Sequence, residues 1–124
     1  MVDLGARTRD FSFPIIKLVT EGIVLASETH PNIPRGSVDL VLLIDAYYEF
    51  FLPREFMDGV VKGLEPGSRG VLVEYRGEDR TVPVKRLHKM TQEQARKEMA
   101  TVGLQWLRTD HYLPQQHVMI FTTP

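Results

Sequence analysis

Short apolar runs alternate with amphipathic stretches along most of this chain. Residues 22–27 form a brief apolar run that ends in a polar segment, and residues 39–44 are continuously apolar after Asp39. A continuous apolar run of this length is typical of a strand covered on both faces. The pattern therefore predicts one strand at 22–27 and a central strand at 39–44.

An amphipathic pattern follows the central strand. Pro53 suits the first turn of a helix, and apolar side chains then recur at helical spacing up to Leu64. The stretch 65–68 is a turn signal, and residues 70–73 are again continuously apolar. The pattern predicts a strand, helix, strand crossover, which is right-handed in nearly all proteins.

The next segment, 76–89, is charged and contains a proline, so it is predicted to be a long surface connection. Thr91 followed by Gln94 is a capping box, which marks the start of a helix. We predict a helix at 92–101, with Gly103 as its C-terminal stop.

Both ends of the chain complete the expected α/β domain. Residues 104–109 and 118–122 are predicted to form an antiparallel strand pair that closes the sheet. Near the N-terminus, the apolar residues 11–16 fit an edge strand or a loop packed over one equally well. We expect a single domain over residues 1–124, in which 1–21 is a divergent N-terminal arm.

Composition excludes several classes of function. The 124 residues carry fifteen Lys and Arg against sixteen Asp and Glu, a net charge of -1 that does not suit binding to nucleic acid or to an anionic membrane. The chain has no cysteine, and its histidines lack the spacing of a metal site. No apolar run is long enough to span a membrane, so a cytoplasmic protein is expected.

Several local motifs resemble the C-terminal part of class I S-adenosylmethionine-dependent methyltransferases. The Ser-Val-Asp-Leu-Val-Leu sequence at 37–42, followed by Asp-Ala-Tyr-Tyr-Glu-Phe at 45–50, is similar to the fourth strand of that family and its following loop. The Leu-Glu-Pro-Gly-Ser-Arg sequence at 64–69, followed by 71–75, is similar to the turn and fifth strand. Residues 76–90 also match one bacterial subgroup, so the resemblance extends from about residue 22 to the C-terminus.

The resemblance implies a partial Rossmann-like methyltransferase sheet, mostly parallel, with a closing antiparallel strand pair. It also implies S-adenosylmethionine as the cofactor. By this resemblance, the loop Ser27, Glu28 and Thr29 would lie near the adenine, and Asp45 and Ala46 near the methionine part.

Candidate catalytic residues follow the central strand and lie in the charged connection. Tyr48 and Glu49 come just after the carboxyl end of 39–44, where open α/β sheets bind ligands, although they could simply cover the sheet end. Many relatives have His at the position of Tyr48. His88 could orient a substrate or exchange a proton, or it could belong to a solvated charged loop.

The family's glycine-rich cofactor loop has no counterpart here, because residues 1–21 contain only Gly5 and no Gly-x-Gly sequence. The fourth strand of the family pairs with the first, so the edge of 39–44 is expected to be exposed and to pair with another chain. We therefore predict a homodimer or higher oligomer through that edge, the strand 22–27 or the N-terminal arm.

Two functional hypotheses result. In the first, the chain is a shortened methyltransferase in which Tyr48, Glu49 or His88 orients the nucleophile toward the methyl group. In the second, it is a non-catalytic binding or oligomerising module; a fragment completed by a partner chain is a third alternative. The substrate is a small molecule whose identity the sequence does not indicate.

Overall fold

The computed structural model describes residues 2–3, 15–18 and 22–124. These residues contain one eight-stranded sheet, in the order β3-β2-β1-β4-β5-β8-β7, with β6 beside β5. The strands are β1 (Val2–Asp3), β2 (Ile15–Leu18), β3 (Gly22–Leu25), β4 (Val38–Ile44), β5 (Leu64–Arg76), β6 (Lys89–Met90), β7 (Gln105–Asp110) and β8 (Gln116–Thr122). The helices are α1 (Pro53–Gly63) and α2 (Gln92–Thr101), with single 3-10 turns at Tyr47–Glu49 and Arg86–His88.

The sheet is mixed, so the prediction of a mostly parallel sheet is not confirmed. Among the strand pairs described, β1 with β4, β4 with β5 and β5 with β6 are parallel. The pairs β1 with β2, β2 with β3, β5 with β8 and β7 with β8 are antiparallel. The order 3-2-1-4-5 is that of doubly wound sheets, but β2 runs antiparallel to both of its neighbours.

The predicted open edge on the central strand is wrong. Val2 and Asp3 of β1 pair in parallel with Val41 and Leu42 of β4, so the strand has neighbours on both sides at these positions. Pattern analysis missed β1 because it contains only two residues, which is too short for a period to show. The predicted antiparallel closing pair is present as β7 and β8.

The N-terminal predictions are tested only in part. Of the apolar segment 11–16, the structure describes Ile15 and Ile16, which belong to β2. Gly5 and residues 11–14 lie outside the described residues.

The helices cover one face of the sheet. Alternate side chains of β4, β5 and β8 point to this face and are fully buried against α1 and α2, namely Val41, Leu43, Leu72, Met119 and Phe121. The opposite face is less covered, with Leu40, Leu42, Val71 and Ile120 half-buried and Ile44 40% exposed. The described part of the molecule is therefore a two-layer structure with its main core between the sheet and the helices.

Both predicted helices form, and their ends follow the sequence signals. Pro53 is the first residue of α1, and the hydroxyl of Thr91 accepts a hydrogen bond from the Gln94 amide, 3.1 Å away, at the start of α2. Gly103 follows α2 with a positive φ of 86°. Among the helices that the structure describes, none is long and apolar enough to cross a membrane.

Candidate functional site

Asp45 lies at the carboxyl end of β4 in a left-handed backbone conformation, with φ at 50°. Its two carboxylate oxygens accept hydrogen bonds of 2.7 and 2.6 Å from the side-chain amide of Gln116, on β8. Burial raises the pKa of Asp45, and the Gln116 hydrogen bond partly offsets that rise. Non-glycine residues with such φ values concentrate at functional sites, so Asp45 is the first residue of the candidate site.

Glu74 lies beside Asp45, at the end of β5, and is fully buried. One carboxyl oxygen accepts a hydrogen bond from the Tyr47 amide at 3.2 Å, and the other has no partner. Burial and the negative charge of Asp45 raise the pKa of Glu74 to about 8. Glu74 is therefore mainly protonated at neutral pH and behaves as a neutral hydrogen-bonding group.

His117 pairs with Glu74 directly across the β5 and β8 ladder and is also fully buried. Its Nε2 atom lies 2.9 Å from the carbonyl oxygen of Met90, and since a carbonyl only accepts, Nε2 carries the hydrogen. Burial lowers the pKa of His117, which favours the neutral ring. Its Nδ1 atom is thus an acceptor, and it has no partner. We call Asp45, Glu74, Gln116 and His117 the polar edge cluster.

The structure brings the three predicted catalytic residues together. The rings of Tyr48 and His88 stack with their centroids 4.9 Å apart, although forty residues separate them in the sequence. The Tyr48 hydroxyl lies 3.4 Å from a carboxylate oxygen of Glu49. The 3-10 turns Tyr47–Glu49 and Arg86–His88 hold these residues beside the carboxyl ends of β4 and β5. Their roles in chemistry remain a prediction.

The predicted cofactor loop Ser27, Glu28 and Thr29 is not brought close to Asp45. It follows β3, whose carboxyl end lies at the same edge of the sheet but three strand spacings, or about 14 Å, from β4. The Ser27 hydroxyl accepts hydrogen bonds from the amides of Thr29 and His30, so it stabilises its own turn. Ala46, by contrast, directly follows Asp45 and is buried.

Sequence reasoning missed Glu74, Gln116 and His117 as parts of the site. Glu74 did carry a signal, because it directly continues the apolar run of β5, where a charged residue has to be buried or functional. Gln116 carried no such signal in the sequence, because its contact with Asp45 spans 71 residues and depends on the pairing of β8 with β5.

Replacing Asp45 tests its strained backbone. Asp45→Gly loses the Gln116 contact but removes a strain of about 1 kcal/mol, so the free energy of unfolding should fall by about 1 kcal/mol or less. Asp45→Val loses the same contact and adds a β-branched side chain at positive φ, so it should be less stable than the glycine variant by about 1–2 kcal/mol. Urea unfolding of both variants measures the difference. Equal stabilities would contradict the left-handed conformation.

The fold resembles those of known proteins, although the sequence does not. No family model matches the sequence, and no curated protein matches it. An S-adenosylmethionine-dependent methyltransferase from Aquifex aeolicus matches in structure with a TM-score of 0.74 at 12% identity, over 82% of this chain and 54% of that one. The fold is that of a methyltransferase. The resemblance inferred from the sequence is thereby confirmed for the fold, and the chain spans about half the length of that neighbour.

Two further methyltransferase structures are similar to this chain in fold. The 1,6-didemethyltoxoflavin-N1-methyltransferase of Burkholderia thailandensis, with S-adenosylhomocysteine bound, has a TM-score of 0.64 at 10% identity and covers 81% of this chain and 49% of its own. A methyltransferase in complex with the Haloferax volcanii Trm112 activator has a TM-score of 0.59 at 12% identity, over 78% of this chain and 59% of its own.

The residues of this methyltransferase-like chain fit S-adenosylmethionine poorly. Both oxygens of Asp45 are occupied by Gln116, and the Ser27 hydroxyl is occupied within its own turn. The sequence has no Gly-x-Gly loop that would let the backbone approach a ligand closely. We therefore derive no methyl-transfer step for this chain alone.

Proposed function

We propose that this chain is a methyltransferase-like domain that binds a small molecule at the carboxyl ends of β4 and β5 and does not bind S-adenosylmethionine by itself. The observation that supports this function is Asp45, held in a left-handed conformation by Gln116 at the end of a central strand. Such an edge is where open α/β sheets bind ligands. The stacked Tyr48 and His88 rings, with Glu49 beside them, then form a wall that orients the ligand.

The second candidate is an S-adenosylmethionine-dependent methyltransferase whose cofactor site is completed by another chain, in a homodimer or with a different partner. The half-exposed apolar face around Ile44 favours it, because such faces commonly bind a second protein. The Haloferax volcanii complex is a neighbour in which a methyltransferase is bound to an activator. In this case Tyr48, Glu49 and His88 would position the nucleophile.

Titration calorimetry distinguishes the two candidates. S-adenosylmethionine and S-adenosylhomocysteine are titrated into protein whose mass in solution is known from light scattering. The first candidate predicts no saturable heat at millimolar ligand, because the chain offers no glycine loop and its polar groups are already paired. The folded state is checked by circular dichroism in the same samples.

Saturable micromolar binding would overturn the first candidate. If only a dimeric fraction binds, the second candidate is supported. Asp45→Asn serves as a matched variant, since it keeps the size and the left-handed tendency of Asp45 but removes its charge. Loss of affinity in that variant would locate the cofactor at the end of β4.

A further inference from the structure

A cleft opens between the 3-10 turns, β6 and α2, and Tyr48 of the proposed ligand-orienting wall also lines it. Its volume is about 190 Å³, which corresponds to about six water molecules. The walls are mainly aromatic and apolar, with a carboxylate at one side, and we call it the aromatic cleft. The lining residues used below are Tyr47, Tyr48, Phe50, Leu87, Lys89 and Glu98.

The carboxylate in the aromatic cleft is incompletely satisfied. Glu98 projects from α2, and its Oε2 atom is buried without a hydrogen-bond partner. The other interaction of this side chain is with Gln94, one turn earlier on the same helix. A buried carboxylate oxygen without a donor costs free energy, and a cationic donor is the group that would best remove that cost.

Ionisable groups of both signs surround Glu98. The nearby Tyr47 hydroxyl has its pKa raised by burial, then by the charges of Glu98 and Glu74. Lys89 also lines the cleft, but its ammonium donates a hydrogen bond of 2.8 Å to the carbonyl oxygen of Asp79. The Lys89 ammonium therefore has a hydrogen-bond partner in the charged connection, and it keeps its positive charge.

Aromatic rings form the remaining walls. Phe50 contacts Tyr47 edge to face, with centroids 5.8 Å apart, and Tyr48 stacks on His88. Faces of tyrosine and phenylalanine rings attract cations, by more when water is excluded. A carboxylate with one unpaired oxygen and a set of aromatic rings together form a recognition surface for an organic ammonium group.

We propose that the aromatic cleft binds a small primary amine in its ammonium form, with the ammonium group facing the Glu98 carboxylate and the carbon skeleton between Tyr47, Tyr48 and Phe50. This inference rests on the proposed small-molecule function and names the class of ligand. It does not require the cofactor. Burial raises the pKa of Glu98, and a bound ammonium would bring it back down.

Three ligands of nearly equal shape test the charge preference. Benzylamine, benzyl alcohol and benzoate are titrated into the 124-residue protein at pH 7, and binding is followed by NMR chemical shifts of the backbone amides of 47–50 and 87–98. Benzylamine should bind at least ten times more tightly than benzyl alcohol, and benzoate should bind most weakly. Equal affinities, or a preference for benzoate, would overturn the amine proposal.

Variants on one helix supply the matched comparison. Glu98→Gln keeps the shape of the side chain and removes its charge, and it should abolish the preference for benzylamine. Glu93→Gln makes the same change on the exposed side of α2, where Glu93 pairs with Lys97 at 2.9 Å, and should leave the preference intact. An unchanged preference in Glu98→Gln would contradict the proposal.

A measurement on the unmodified protein covers the case in which Glu98→Gln does not fold. The carboxyl carbon shift of Glu98 is followed against pH with and without benzylamine, and the amine should lower the pKa of Glu98. An unchanged titration would overturn the proposal. Binding of benzyl alcohol without amine preference would leave the small-molecule function standing, whereas no binding by any of the three would contradict both.

Discussion

Glu74→Gln should make the protein more stable at alkaline pH, by up to about 5 kcal/mol. The folded-state pKa of Glu74 is raised to about 8, from an ordinary value of 4.5. Between these two values the folded protein holds a proton that the unfolded chain has released, so stability falls as the pH rises through this window. A difference of one pH unit between the folded and unfolded pKa values corresponds to about 1.4 kcal/mol. Glutamine is neutral throughout and avoids this loss.

The geometry indicates that glutamine can replace Glu74 without repacking. Its amide oxygen can accept the hydrogen bond from the Tyr47 amide, and its amide nitrogen takes the position of the unpaired Oε2 atom. That nitrogen is a donor, and the unpaired Nδ1 atom of His117, on the directly opposed residue of β8, is an acceptor.

The measurement is urea unfolding at half-unit intervals from pH 4 to 9, with the unmodified protein and the variant in parallel. The difference in free energy of unfolding should be constant below about pH 4.5, should increase from there to pH 8, and should then be constant. His117 titrates in both proteins. Its lowered pKa destabilises both as the pH falls below its ordinary value, and this contribution largely cancels in the difference.

Glu93→Gln provides the control for this experiment. Glu93 is exposed on α2, and the hydrogen bond and charge of Lys97 lower its pKa. Glu93 therefore titrates below the pH range from 4.5 to 8 in which Glu74 changes the stability. Its stability curve should run parallel to that of the unmodified protein from pH 5 to 9. Parallel curves for Glu74→Gln as well would show that Glu74 is charged in the folded state.

Gly63→Ala should destabilise the fold by about 1–3 kcal/mol, although alanine is the better helix former. A Cβ atom at position 63 would lie 2.6 Å from Cγ2 and 2.9 Å from Cβ of Ile33. Ile33 is buried, and its Cβ atom does not move when the side chain rotates about χ1, so rotation alone cannot relieve the contact. Gly59 faces Pro31 in the same way, and the segment after β3 packs closely along α1 at both positions.

Chemical denaturation of Gly63→Ala beside Lys62→Ala tests this contact. Lys62 is the preceding residue on the exposed side of α1, and its replacement should change the free energy of unfolding by about 0.5 kcal/mol or less. A double-mutant cycle with Ile33→Ala should show a coupling of at least about 0.5 kcal/mol, because the smaller residue makes room for the new methyl group. Stabilisation in Gly63→Ala would mean that the segment does not touch α1.

Local signals in the sequence were sufficient for the elements that bear the methyltransferase resemblance. The apolar run of β4 predicts a strand covered on both faces; the strand forms, but in the described part of the chain only its helix-facing side is fully buried. Thr91 with Gln94 defines the start of α2. The sequence also predicts a ligand-binding position at the carboxyl end of β4, where open α/β sheets bind ligands. Tyr48, Glu49 and His88 were proposed together, and the fold places them together.

Only the tertiary structure determines the contacts between chain segments that have no recognisable local sequence pattern. Two residues of β1 pair in parallel with β4 and join it to the antiparallel strands β2 and β3, which a period of two cannot reveal in so short a strand. Gln116 reaches Asp45 because β8 lies beside β5, and the same pairing buries Glu74 opposite His117. The sequence by itself determined the fold class and predicts the sheet edge of the proposed site. The protonation of Glu74, the strain at Asp45 and the unpaired oxygen of Glu98 depend on the packing of distant chain segments, because burial and hydrogen-bond partners exist only once those segments meet.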